Sequence, residues 1–181
     1  MGRIRSEIDD VARRFIEAQK VFFVASAPLD PAAHVNLSPK GHDTFRILGP
    51  TTVAYLDFNG SGIETIAHLK ENGRIVLMFC AFQGPPDIFR LYGHGRVIEL
   101  DHPEFADLAA HFPAFESLRS IIVVTVTRVQ DSCGYGVPLF KFEGERTQLQ
   151  AWARKRGADG LKAYRQEKNR KSIDGLPGLS E

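Results

Sequence analysis

Cysteine is scarce in this sequence: 181 residues contain two, Cys80 and Cys133. With no CxxC pair and no dense Cys pattern, a disulfide-stapled mini-scaffold is excluded, a reducing compartment is suited, and both thiols are expected to be buried. A one-sided charge is missing too. Lys plus Arg number 23 against 22 Asp plus Glu, a formal charge of +1, so no global field draws the chain onto nucleic acid or a membrane surface. No apolar run approaches the ~18–20 residues that span a bilayer, and the first ten residues have no apolar signal core. The reading is a cytoplasmic protein without nucleic-acid or membrane partners.

Familiar catalytic signatures are absent as well. Six histidines (His34, His42, His68, His94, His102 and His111) form no HExxH and no tight carboxylate cluster, so no metal site is expected. No G-x-S-x-G elbow marks a hydrolase nucleophile. The G-x-G-x-x-G fingerprint and the P-loop lysine are also missing.

What is present is enough for a core. Hydrophobic residues make up 43% and charged residues 25%, the balance of an ordinary globular domain with one short appendage at most. Residues 1–140 carry 13 basic and 16 acidic side chains, whereas 141–181 carry 10 and 6. The tail is therefore the basic part, and a solvated face explains it better than nucleic-acid binding, because no aromatic residues interleave its charges.

Periodicity supplies the elements. Ile8, Val11, Ala12, Phe15 and Ile16 make an amphipathic helical stripe over 7–19, with Ser6 and Asp9 as start signals. Short strands follow at 21–27, 34–38, 44–48 and 52–57, the second stopped by Pro39. Asn59-Gly-Ser-Gly62 leads into a helix over 62–72, and Ser61 with Glu64 matches the S-x-x-E capping box. Long strands at 74–82 and 88–100 come next, Gly93 and Gly95 marking a bend or close backbone approach. A short helix at 103–111, a buried strand at 121–129, a loop at 132–138 and a basic helical tail from about 145 complete the chain. The class is α+β: a split or closed β-barrel of six or seven mostly antiparallel strands with peripheral helices, the barrel in 1–140 and a helical extension in 141–181.

Two stretches carry chemistry. Asn59-Gly-Ser-Gly62 ends a strand and opens a helix, where free amides and the helix dipole can hold a phosphate; a plain capped helix is the competing reading. The strand from His34 to Lys40 sets Asn36 and Ser38 at alternate positions, so one face can offer hydrogen bonds to a planar heteroaromatic ring; a half-exposed edge strand is the alternative.

Taken in order, the opening helix, Val21 to Ala27, Val35-Asn-Leu-Ser-Pro-Lys-Gly41, Val53-Ala-Tyr-Leu-Asp57 through Asn72-Gly-Arg-Ile-Val76, Met78 to Phe82 and Leu91-Tyr-Gly-His-Gly-Arg-Val97 resemble the pyridoxamine 5'-phosphate oxidase-like family of FMN-binding split barrels. The resemblance implies FMN as cofactor, a homodimer with flavin at the subunit interface, and flavin-dependent oxidoreduction of a small molecule. It assigns His34, Asn36, Leu37, Ser38, Pro39 and Lys40 to the flavin-contacting strand. Tyr55, Leu56 and Asp57, with Asn59, Ser61, Gly62 and Thr65, match the ribityl- and phosphate-holding turn.

The chain also departs from the family. The oxidases carry an Arg-x-x-x-x-Lys strand and a Ser-Arg-Lys turn, while this sequence has His34 with Lys40 and Ser61-Gly62. Phosphate neutralisation then falls to Lys40, with Lys70 or Arg74, and the helix dipole. Without the family's Arg-containing C-terminal motif, vitamin B6 oxidation is not expected. The alternatives are a non-catalytic flavin carrier or redox sensor, and a haem protein on the same barrel with His34 or His94 as ligand.

Overall fold

A computed structural model describes residues 2–180. Its strands are β1 (Ile4–Arg5), β2 (Phe22–Ser26), β3 (Asn36–Lys40), β4 (Phe45–Gly49), β5 (Thr52–Phe58), β6 (Arg74–Cys80), β7 (Asp87–Glu99) and β8 (Leu118–Cys133). The helices are α1 (Asp10–Ala18), α2 (Glu64–Asn72), α3 (Phe105–Ala109) and α4 (Gln148–Lys168). All pairings are antiparallel, in the order β3-β2-β6-β7-β8-β5-β4, with β1 on β8. The curled sheet is open between β3 and β4, the split of a split barrel.

The β-branched and aromatic runs set this architecture. Val24, Val53, Tyr55, Leu77, Leu91, Ile122 and Val124 alternate inward from five strands and bury against Ile16 of α1 and Ile66 of α2. A second cluster on the outer face joins Ala54, Leu56, Ile98, Ile121 and Val123 to α3. The bend expected in β7 is a register shift between Tyr92 and Gly93. A β-carbon on Gly93 would run into the Thr125 carbonyl, so only glycine lets β7 and β8 approach this closely.

Local signals explain the helix ends in part. Asp9 caps α1, its Oδ1 accepting from the Ala12 amide at 2.8 Å. Gly73 closes α2 in the left-handed region at φ 72°, its amide donating to the Leu69 carbonyl.

Four local expectations are corrected. Strand β3 does not stop at Pro39 but runs through it to Lys40, with Pro39 opposite Phe23; β3 is an edge strand, where a missing N–H removes no ladder bond. The Ser61–Glu64 capping box does not form: buried Ile63 takes the N-cap position with no side-chain cap bond. Strand β8 extends to Cys133, into the expected loop, and Cys133 is exposed whereas Cys80 is buried. Strand β1 was not legible at two residues.

The tail lies back on the barrel. Helix α4 breaks at Gly157, which sits at φ 66°, and buries Ala153 and Leu161. Gln150 donates to Ser117 Oγ at 2.7 Å. After α4 the chain turns back so that the Leu179 amide reaches the Asn169 carbonyl at 2.9 Å.

Candidate functional site

The face of β3 turned toward the barrel carries Asn36, Ser38 and Lys40, all half-buried, while Leu37 and Pro39 point outward and are exposed. Period-two alternation produces that split. Asn36 Nδ2 donates to Thr65 Oγ1 of α2 at 2.8 Å, and Lys40 Nζ donates to Asp57 Oδ1 of β5 at 3.0 Å. These two bonds tie edge strand β3 to α2 and β5. Between them Ser38 Oγ is buried without a hydrogen-bond partner among the described residues.

Asp57 is the electrostatic centre. It is 1% exposed, and its Oδ2 accepts from Arg119 Nε of β8 at 2.7 Å. Burial pushes the carboxyl up, but the Arg119 guanidinium and the Lys40 ammonium outweigh it and hold Asp57 down at about 2. Tyr55, two residues earlier on the same face, is fully buried, and its hydroxyl has no partner among the described residues. Burial, and then the Asp57 charge, raise that phenol well above its ordinary value, so it is a neutral hydroxyl. Leu56 points the opposite way, into the second core cluster, away from this group.

The loop after β5 is clamped. Gly60 carbonyl accepts from Arg119 Nη1 at 3.1 Å and from Asn169 Nδ2 at 2.8 Å. Buried Asn59 donates its side-chain amide to the Ser117 carbonyl at 2.8 Å. Ser61 and Gly62 are exposed, and their amides meet no acceptor among the described residues. Free amides ahead of a helix suit an anion, but Glu64 stands in the first turn, accepting from the Ile173 amide at 3.3 Å.

The structure thus brings Asn36, Ser38, Lys40, Asp57 and Thr65 together, beside Asn59, Ser61 and Gly62. His34 lies at the rim, its backbone and Nδ1 both held by Asp174 of the tail, at 3.0 and 2.7 Å. Lys70 and Arg74 do not reach the site. Lys70 Nζ is taken by Glu99, the Gly178 carbonyl and Ser180, and Arg74 by Asn72 and the Pro28 carbonyl; Lys70 stands in the last turn of α2 and Arg74 opens β6 beyond it. Arg119 and Asn169 went unread in the sequence. The only signal for Arg119 was a lone charge just ahead of the apolar run of β8, one position from the pairing partner of Asp57.

Buried His68 of α2 adds a neutral polar group behind the site: Nδ1 lies 3.0 Å from Ser26 Oγ, and burial lowers its proton affinity against the pull of Glu64, Glu71 and Asp174.

The family model for pyridoxamine 5'-phosphate oxidase matches residues 8–133. A pyridoxamine 5'-phosphate oxidase family protein, ustO of Aspergillus flavus, is 39% identical over 191 residues, covering 95% of this chain and 76% of that protein. Among solved structures, a HupZ variant from Group A Streptococcus aligns with a TM-score of 0.55 at 18% identity, over 69% of this chain and 99% of that one. A candidate pyridoxamine 5'-phosphate oxidase from Lactobacillus delbrueckii aligns at 0.53 and 16%, over 69% and 94%. At those identities the structural likeness is one of fold.

Proposed function

The chain belongs to the pyridoxamine 5'-phosphate oxidase family, and on that footing we propose that it is a homodimeric FMN-binding protein whose flavin oxidises or reduces a small molecule. The observation that carries this reading is the Asn36-Ser38-Lys40 row, with buried Ser38 Oγ left unpartnered beside a loop whose Ser61 and Gly62 amides are free. Buried polar atoms without partners are costly, and a ligand that supplies the missing bond removes that cost.

Each group has a part to play toward the cofactor. Asn36 and Ser38 offer a donor and a hydroxyl to the ring edge, and Lys40 places a positive charge at the end of the same strand. Ser61 and Gly62 offer amides to the phosphate, with Thr65 one turn on. Asp57 orients Lys40 rather than touching the cofactor itself, and Arg119 holds Asp57 ionised. Bound flavin would supply hydride or electron transfer; the chain supplies binding and orientation. The exposed Leu37 on edge strand β3 and Val35 just before it suit the dimer contact. Residues 141–181 act in this reading as an extension that braces the cofactor loop through Asn169.

The test is the visible spectrum and ligand mass of protein purified without added cofactor, followed by FMN titration. Flavin bands or saturable uptake support the reading, and NAD(P)H consumption by the loaded protein favours an enzyme. Tight flavin with no turnover with any donor favours a carrier or sensor. A Soret band, or a dimer that takes up no FMN, overturns the flavin reading.

A further inference from the structure

A cavity of about 650 Å³ opens at the Lys40 end of β3, sharing Lys40 with the Asn36-Ser38-Lys40 row and extending away from it. That volume lies within the range of small-molecule sites. Its outer wall is built by the connection from Cys133 to Gln148, which has no helix or strand and lies beyond the residues matched by the family model. Fourteen residues without regular structure inside a compact fold are uncommon, and such segments serve as functional loops or as linkers.

The wall is apolar where it is anchored. The Phe140 amide donates to the Phe82 carbonyl at 2.9 Å, and the two rings stand 5.5 Å apart at 33°. Phe142 lines the same cavity, and Phe140 and Phe142 remain exposed despite their size. A ring that is held but uncovered, as Phe140 is, leaves apolar area for a ligand to bury, and its face favours a flat one.

The rim is cationic. Lys20, Lys40, Lys141 and Arg146 line the cavity against one carboxylate, Glu145. Lys40 is matched by Asp57, Lys20 acts on the Asp43 carboxyl, and Glu145 lies 3.5 Å from His42 Nδ1. Lys141 and Arg146 make no ion pair among the described residues. His42 is held at φ 60°, a left-handed backbone rare for a residue with a side chain, and such strain gathers at ligand sites.

We infer that this cavity binds an aromatic carboxylate, its ring against Phe82 and Phe140 and its charge on Lys141 and Arg146, and that such acids are the substrate class of the protein. The last clause rests on the flavin reading; the binding site does not. The match is of charge and shape: uncompensated cations above an apolar floor favour one anionic group on a flat hydrocarbon body.

The test uses the full chain, saturated with FMN, and the matched probes 2-naphthoate and 2-naphthamide, followed by calorimetry. The acid should bind at least tenfold more tightly than the amide. Lys141→Glu with Arg146→Glu should erase that preference, and Phe140→Ala should weaken both probes, while FMN affinity stays unchanged in each. Equal binding of acid and amide, or acid binding untouched by the substitutions, overturns the proposal. So does competition between naphthoate and FMN, which would make the cavity the flavin's own pocket. Tighter binding of pyridoxal 5'-phosphate than of naphthoate would overturn the assignment in favour of a phosphorylated substrate. No naphthoate binding, with loss of the dimer on Phe140→Ala, would show that a second copy covers the wall. Naphthoate binding to a chain that never takes up FMN would leave the site standing and sink the flavin reading.

Discussion

Asp57 Oδ2 accepts from Arg119 Nε at 2.7 Å while Oδ1 accepts from Lys40 Nζ at 3.0 Å, so one buried carboxylate joins β8, β5 and edge strand β3. Its ionisation couples acid stability to the geometry of the site. With the carboxyl held at about 2 in the fold against an ordinary 3.8, the unfolded chain binds this proton first as pH falls. The stabilisation is therefore complete above about pH 4 and is lost as pH drops through about 2, and is worth roughly 2 kcal/mol. Urea unfolding of wild type between pH 5 and pH 2.5 should show this slope, and Asp57→Asn should flatten it. Parallel curves for the two proteins would remove Asp57 from the account.

Arg119 holds Asp57 and the Gly60 carbonyl together, so its loss has two consequences. Arg119→Ala leaves a buried carboxylate matched only by Lys40, which should destabilise by roughly 3–5 kcal/mol, about 10 °C in Tm for a chain of this size. Arg119→Lys keeps the charge but cannot span both acceptors in the same way, so it should recover part of the Tm and less of the FMN affinity. Equal recovery of both would reduce Arg119 to a plain charge.

Seven of the eight strands and all four helices were legible because each rests on local periodicity or turn chemistry. What failed to show is long-range. The capping pattern at Ser61 and Glu64 is real in sequence, yet burying Ile63 shifts the helix start, and the Glu64 carboxylate faces the Ile173 amide from 109 residues away. Pro39 reads as a strand stop only if β3 has neighbours on both sides, and it has one. Arg119 and Asn169 meet at Gly60 from two distant parts of the chain, and no spacing rule could pair them. The wall at residues 140–146 carries no periodic signal at all.

Gly178 pins the tail. A β-carbon there would run into the Asn169 carbonyl and crowd Ile63, and Asn169 is the residue that braces the Gly60 loop. Gly178→Ala should therefore lift residues 169–180 off α2, seen as faster amide exchange there and as proteolytic nicking after Arg170 or Lys171 while the barrel stays intact. Exchange unchanged in the tail would show that the chain absorbs the methyl group locally.

The last prediction concerns the charge that a bound phosphate would meet. Glu64 occupies the first turn of α2 beside the free amides of Ser61 and Gly62, where a negative charge opposes an anion and favours none. Glu64→Gln keeps an acceptor for the Ile173 amide and removes the charge, so FMN should bind more tightly, by about fivefold, or roughly 1 kcal/mol at a wet site. Ser61→Asp adds a charge at an exposed position with no fold bond to break, and FMN should weaken by a similar factor. Riboflavin, without the phosphate, should respond to neither change. Titration of both ligands against the three proteins separates the cases: opposite shifts for FMN alone support the Ser61-Gly62 loop as the phosphate site. Equal shifts for riboflavin, or none for FMN, would move the phosphate elsewhere and leave Lys40 as the cation to test next.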